Sequence, residues 1–475
     1  MKWNVVQLMV YGENLSNADV NFDEERLEII NIHSVENSNY LFVDVFIPND
    51  IPEGEYVLTI RKDNKEIKRE YPILSREFQV ESHKGFNNED VIYLIFADRF
   101  CDGNPTNNTI GDSLEEFRST DIDGVQEAHK HGIKIIMDHV SNHIGINHFW
   151  TNNLPMNDWL NGTPQNHLIT HHDKLAFLDI HGDSSTVKFT TNGWFEDYMP
   201  DLNQRNLFLK KYLIQNTLWW IEYSGIDGIR EDTYPYSDQK YLSEWAASIL
   251  TEYPSFSIVG EIWKGVPSVI SGYQNNSPVR EHEFESSLPV ATDFAFADAV
   301  RLYLSGEKSI SQVYETLAQD IVYDDPNNLV VFMDNHDMER AMFIANGNDK
   351  KVKLALNLLL FTRGIPVIFY GTEIGISGGK SHGELRAPFP GGFSEDTTNA
   401  FLEAGRSEKQ NEMFYYLKEL LKLRQEYPVL SKGKFRHIYF GEDLYVIIKT
   451  YEGEQALVIM NTGEKEITVQ SSQIQ

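Results

Sequence analysis

Apolar and polar positions change their rhythm twice along this chain. Up to residue 84 they alternate in short runs, Val5–Tyr11, Tyr40–Ile47, Glu55–Arg61 and Glu77–Val80, broken by turn-rich pieces at Pro48–Asp50 and Pro52–Gly54. A period of two belongs to half-buried strands, and this spacing predicts an N-terminal β-sandwich of immunoglobulin type over 1–84. From residue 91, apolar runs alternate with longer helical stretches, the pattern of βα units around a parallel sheet. The strand candidates are Val91–Phe96, Ile133–Val140, Gly228–Asp232, Ser257–Trp263, Val290–Phe294, Leu329–Asn335 and Ile365–Tyr370. Helix candidates are Leu207–Tyr223, Gln239–Glu252 and Asp349–Thr362. The expected fold class is α/β, a TIM-like (β/α)-barrel over 90–408, with an excursion domain of loop-like texture at about 141–203. A third region, 409–475, predicts a helix, Asn411–Tyr427, and then an all-β domain short enough to look cut off. Its strands are Lys434–Tyr439, Leu444–Tyr451, Gln455–Asn461 and Glu466–Gln470.

Seven strand candidates fall short of the eight that close such a barrel. The gap lies between Arg99 and Ile133, an interval with room for a single crossover. The barrel is therefore expected to lack one βα unit there.

Composition narrows the partner more than the fold. The formal net charge of −30 argues against a nucleic-acid partner, which needs a basic footprint, and suits a neutral ligand. The single cysteine, Cys101, excludes an internal disulfide and a cysteine-built metal cluster. No run is apolar for long enough to span a bilayer, so no membrane partner is expected. The opening residues lack the pattern of a signal peptide.

Chemistry concentrates where the parallel strands turn polar. GIDGIRED sets Arg230 and Asp232 two apart on one strand face, so the guanidinium can hold the carboxylate ionised, as a nucleophile requires. IVGEIW ends an apolar run in Glu261, and an apolar neighbourhood would raise its pKa as a general acid needs. FMDNHD supplies His336 and Asp337, and IIMDHVSNH supplies Asp138, Asn142 and His143. Such a set can hydrolyse glycosidic bonds. It could also hold a metal, although no HExxH spacing is present, and each charge taken alone could simply cap a strand.

These segments, DHVSNH, GIDGIRED, GEIW and FMDNHD, resemble in order the four signature motifs of the α-amylase family of glycoside hydrolases. MPDLNQRN at Met199–Asn206 and QLMVYG at Gln7–Gly12 are similar to features of its neopullulanase/cyclomaltodextrinase branch. The resemblance implies retaining hydrolysis of α-glucosidic bonds in maltooligosaccharides, cyclodextrins or pullulan, with some transglycosylation. It implies Asp232 as nucleophile, Glu261 as acid/base and Asp337 as transition-state stabiliser. Asp138, His143, Arg230 and His336 would hold the sugar on the non-reducing side of the cleaved bond. Trp194, Trp263 and Phe393 are candidate stacking surfaces, with core packing as the competing role for each. The loop ADRFCDGNPTNN resembles a calcium loop, with Asp102, Asn104, Asn107, Asn108 and Asp121 as oxygen ligands; an ordinary Asn/Gly turn is the competing reading. No organic cofactor is expected. The resemblance also implies a homodimer through the N-terminal domain, and a periplasmic location if a leader has been lost, otherwise a cytoplasmic one.

Two departures from the family pattern stand out. The absent βα unit would remove a Tyr and a His that line the sugar subsite, which raises a rival reading: a non-catalytic α-glucan-binding remnant. Glu231 replaces a usually apolar residue, and strand alternation turns it away from the site, where a charge is costly unless paired.

Overall fold

The computed structural model describes residues 3–76, 80, 83–103, 120–280 and 285–468. The chain divides into two compact units, Met1–Gly85 with Glu115–Glu261 and His282–Leu288, and Phe86–Leu114 with Ile262–Glu281 and Pro289–Gln475.

In the first unit, six antiparallel strands form two three-stranded sheets. They are β1 (Val5–Tyr11), β2 (Asp19–Phe22), β3 (Glu28–Ser34), β4 (Tyr40–Phe46), β5 (Gly54–Lys62) and β6 (Lys65–Ile73), ordered β1-β4-β3 and β2-β5-β6. The central strand β4 is buried on both faces. Leu41, Val43 and Val45 enter a core shared with Val20, Phe22, Leu58 and Ile60 of the other sheet, so the two sheets form a sandwich. Phe42 points the other way and packs on Phe208 and Trp159, ring centroids 4.7 and 5.9 Å away. That contact docks the sandwich on the helix Leu207–Ser224. Gln215 of this helix adds a two-point clasp, accepting from the Gln7 amide and donating to the Gln7 carbonyl, each at 2.8 Å.

All seven expected parallel strands are present: β7 (Ile92–Leu94), β8 (Ile136–His139), β9 (Gly228–Glu231), β10 (Ser257–Gly260), β11 (Val290–Thr292), β12 (Leu329–Val331) and β13 (Ile365–Phe369). The first unit holds β8, β9 and β10, paired parallel through β9. The second holds β11, β12, β13 and β7, paired parallel in that order. Among the described residues β7 pairs only with β13 and β8 only with β9. The interval in which a βα unit is expected to be missing includes 104–119, which lie outside the described residues.

The long helices start where capping chemistry allows. Asn206 accepts the amides of Phe208 and Leu209, and Asp238 accepts that of Tyr241 to open the helix Gln239–Glu252. Ser407 and Gln410 form a capping box at the start of the helix Glu408–Glu426. The second unit ends in a meander of β14 (Lys434–Phe440), β15 (Leu444–Tyr451) and β16 (Glu454–Asn461), whose Tyr445 and Ile447 join the core of that unit. The strand expected over Glu466–Gln470 is not formed by its described residues, 466–468. No helix among the described residues is long and apolar enough to cross a membrane.

Candidate active site

Strand alternation places Arg230 and Asp232 on one face of β9, with Asp138 across from Arg230 on β8. The Arg230 guanidinium then gathers three carboxylates. Its Nη1 donates to Asp138 Oδ1 at 2.6 Å and to Asp232 Oδ1 at 3.0 Å, while Nη2 pairs with Glu261 Oε1 at 2.7 Å. Burial alone would disfavour the guanidinium charge, but Glu261, Asp138 and Asp232 outweigh it and hold the proton more firmly than usual. Asp138 is half exposed, whereas Glu261 is buried.

Glu261 is buried as expected, but its immediate neighbours are polar rather than apolar. Besides Arg230, its Oε2 accepts the Thr233 amide at 3.0 Å. Thr233 has φ near +48°, a left-handed backbone that a β-branched residue rarely adopts and that costs roughly 1–3 kcal/mol. That strained turn, directly after Asp232, aims the Thr233 N–H at Glu261. Gly260 makes room for it: a Cβ there would lie 2.9 Å from the Tyr234 ring.

His143 is stacked on Phe195, and burial lowers its pKa against the opposing pull of Asp232. Phe195 also meets Tyr236 edge-on, and the Tyr236 hydroxyl lies 3.1 Å from His172 Nδ1. Burial, together with the charges of Glu261 and Asp232, raises the Tyr236 pKa. Sequence reasoning missed Tyr236 and His172, because neither sits in a strand-end pattern.

The MPDLNQRN segment buttresses this site. Fully buried Asp201 accepts from Asn142 Nδ2 at 3.0 Å and Asn161 Nδ2 at 2.6 Å, and Gln204 donates to the Ser141 carbonyl at 3.0 Å. Trp194 cannot serve as a stacking platform here, a correction to the expectation. It is wholly buried, flat against His167 with ring centroids 3.8 Å apart, and its indole N–H donates to the Asn161 carbonyl.

His336 and Asp337 belong to the second unit. Asp337 Oδ2 lies 3.1 Å from His336 Nε2, and its Oδ1 accepts from Arg386 Nη2 at 2.6 Å. Arg386 also donates to the His336 carbonyl and lies over the Phe96 ring. Arg386 is a third residue the sequence did not reveal. Trp263 is part-exposed and stacks on Phe294, and Phe393 is half-buried.

Of the residues expected to bind calcium, Asn104, Asn107, Asn108 and the Asp121 side chain lie outside the described residues. Among the described residues no three His, Cys, Asp or Glu side chains are grouped to hold a metal. Asp102 is described, and its amide donates to the Gly392 carbonyl at 2.8 Å.

Carboxylates gathered at the C-terminal ends of parallel strands are groups capable of acid–base and nucleophilic chemistry. Residues 120–433 match the α-amylase catalytic domain, and residues 1–77 match the cyclomaltodextrinase N-terminal domain. The chain belongs to the α-amylase family of glycoside hydrolases. A cyclomaltodextrinase of Thermoanaerobacter pseudethanolicus is 28% identical over 352 residues, 72% of this chain and 54% of that protein. Neopullulanase 2 of Thermoactinomyces vulgaris is 28% identical over 397 residues, 82% of this chain and 59% of that protein. The chain thus spans little more than half the length of these relatives. Among solved structures, an Anoxybacillus α-amylase superposes with a TM-score of 0.64 at 25% identity, covering 80% of this chain and 88% of that one. The fold class expected from the sequence, a (β/α)-barrel type with flanking all-β domains, is the fold of this family.

Proposed function

We propose that this protein hydrolyses α-glucosidic bonds with retention, in cyclodextrins, pullulan or maltooligosaccharides. The observation that carries the reading is the bridge from Arg230 to Asp138, Asp232 and Glu261. One guanidinium holding Asp232 and Glu261 favours the short carboxyl separation of retaining enzymes, about 5–5.5 Å, over the wider gap of inverting ones. Asp232, fixed by Arg230 and by its own N–H bond to the His139 carbonyl, attacks the anomeric carbon. Glu261 protonates the departing glycosidic oxygen, and then takes the proton from the water that releases the glycosyl-enzyme. Asp337, oriented by Arg386 and His336, serves as the stabiliser. Asp138, His143, Arg230 and His336 contact sugar hydroxyls. The intact set of carboxylates supports an enzyme over a binding remnant, and the relatives' names support cyclodextrin or pullulan as substrate.

Reducing-sugar release from β-cyclodextrin and maltoheptaose tests this. Glu261→Gln should lower kcat at least about a hundredfold, the lower end of the range for losing a positioned acid/base. Equal rates for Glu261→Gln and wild type would overturn the reading. Calcium remains an inference from the 102–108 loop; no step of this mechanism passes through it. A chelator should lower the melting temperature if the loop holds the ion, and an unchanged melt would dismiss it.

A further inference from the structure

Glu231 is the charge that strand alternation turned away from the site, and it is not left alone. It is fully buried, and its partners Ser141 and His139 are buried as well. Its Oε1 accepts from the Ser141 amide at 3.2 Å and from the Ser141 hydroxyl, while its Oε2 meets His139 Nδ1. His139 Nε2 lies 3.0 Å from Thr217 Oγ1, which also accepts the Trp245 indole N–H at 2.9 Å and donates to the Leu213 carbonyl at 2.9 Å. The His139 ring stacks on Trp245. Glu231 and His139 are thus hydrogen-bonded to each other, and each has a further buried partner, so neither is left unsatisfied.

The same two residues hold the site through their main chains. The His139 carbonyl accepts the Asp232 amide, and the Glu231 carbonyl accepts the Glu261 amide, both at 2.9 Å. His139 follows Asp138, and Glu231 sits between Arg230 and Asp232. Every member of the Arg230 cluster is therefore adjacent to, or bonded to the backbone of, one of this pair. We propose that Glu231 and His139 are positioning residues: their buried bond clamps β8 to β9 from behind and fixes the separation of Asp138, Asp232 and Glu261. This rests on the hydrolase reading above. An apolar pair would fill the same volume, but only a satisfied polar network sets the geometry uniquely.

The test compares wild type, Glu231→Gln and the double variant Glu231→Leu/His139→Leu on β-cyclodextrin and maltoheptaose. Replacing a buried pair by apolar residues is often neutral for stability, but the Ser141 amide and hydroxyl lose their acceptor, so the double variant should fold and melt somewhat below wild type. Its kcat should fall about tenfold to a hundredfold with KM within about threefold, because displaced reacting groups lose rate before they lose binding. In wild type the proton shared by Glu231 and His139 should resonate far downfield of the amides, and Glu231→Gln should abolish that signal. A double variant that folds and keeps a kcat within about twofold of wild type would overturn the proposal. Should the double variant fail to fold, Glu231→Gln keeps the volume but removes the carboxylate from the clamp, and an unchanged kcat there overturns it equally. Wild type inactive on both glucans would sink the hydrolase reading, and this role with it. An active wild type with insensitive variants would sink the role alone.

Discussion

Arg230→Lys keeps the positive charge at the centre of the carboxylate cluster and removes only the fork. A lysine ammonium is a compact point donor and cannot reproduce a guanidinium that serves Asp138 and Asp232 through Nη1 and Glu261 through Nη2. At best it keeps one of the two contacts nearest the chemistry. The other, a charge-assisted bond in a mostly buried place, is worth about 1.5–3 kcal/mol. The Asp138 contact is half exposed and counts for no more than about 1 kcal/mol. Together the loss comes to roughly 2–4 kcal/mol, or about 30- to 1000-fold in kcat/KM. Initial rates of reducing-end release from β-cyclodextrin across a range of concentrations give that ratio, and a melting curve checks the fold. Because these contacts are already made in the free enzyme, the melting temperature should fall by several degrees, and rates are compared well below that melt. A variant folded like wild type and within about threefold of its kcat/KM would show that the bridge is not what organises the site.

Other consequences are open to measurement. Arg386→Ala removes the 2.6 Å clamp on Asp337 in a partly exposed setting, so kcat/KM should fall by about 1–2 kcal/mol, roughly 5- to 30-fold; an unaffected rate would mean Asp337 needs no such partner. Lys449 is buried with its Nζ on the Thr362 and Leu430 carbonyls, and burial, then the Arg424 charge, bring its pKa down to about 7. Between that value and the ordinary lysine range the unfolded chain holds a proton that the folded chain lacks. Stability therefore rises with pH across the window, by at most about 1.4 kcal/mol per unit, and is lost as pH falls to about 7. The melting difference between wild type and Lys449→Met should accordingly climb from neutral to alkaline pH, and a difference flat with pH would refute the linkage.

What the sequence made legible follows from how local each signal was. The helix Gln239–Glu252 and the strands β1 and β15 begin and end where the pattern puts them, because periodicity and caps lie inside those segments. The strands β2, β3 and β6 escaped. β6, KEIKREYPI, is an edge strand exposed almost throughout, and the apolar face that sets Tyr71 and Ile73 on the core is interrupted by Arg69, so the rhythm is faint. Its register comes instead from the two-residue turn Asp63–Asn64, with Asp63 at φ near +52°.

The site divides along the same line. Arg230 and Asp232 share a face because they are two apart on one strand, and alternation is enough to see it. Alternation likewise turned Glu231 inward and showed that it needed a partner, without saying which. The partner had to be a neighbour in space, and His139 stands directly across from it in the β8–β9 register. Arg386 reaches Asp337 from a segment, HGELRAP, with no periodicity or motif to betray it. Trp194 shows the converse error. A tryptophan among polar residues looks available to a sugar, yet Asn161 and His167 enclose it. Residue type and spacing therefore identified the carboxylates that the proposed chemistry requires. The groups that aim them, Arg386 and His139, are defined only by contacts across the fold, and substitutions there measure how far the site depends on its support.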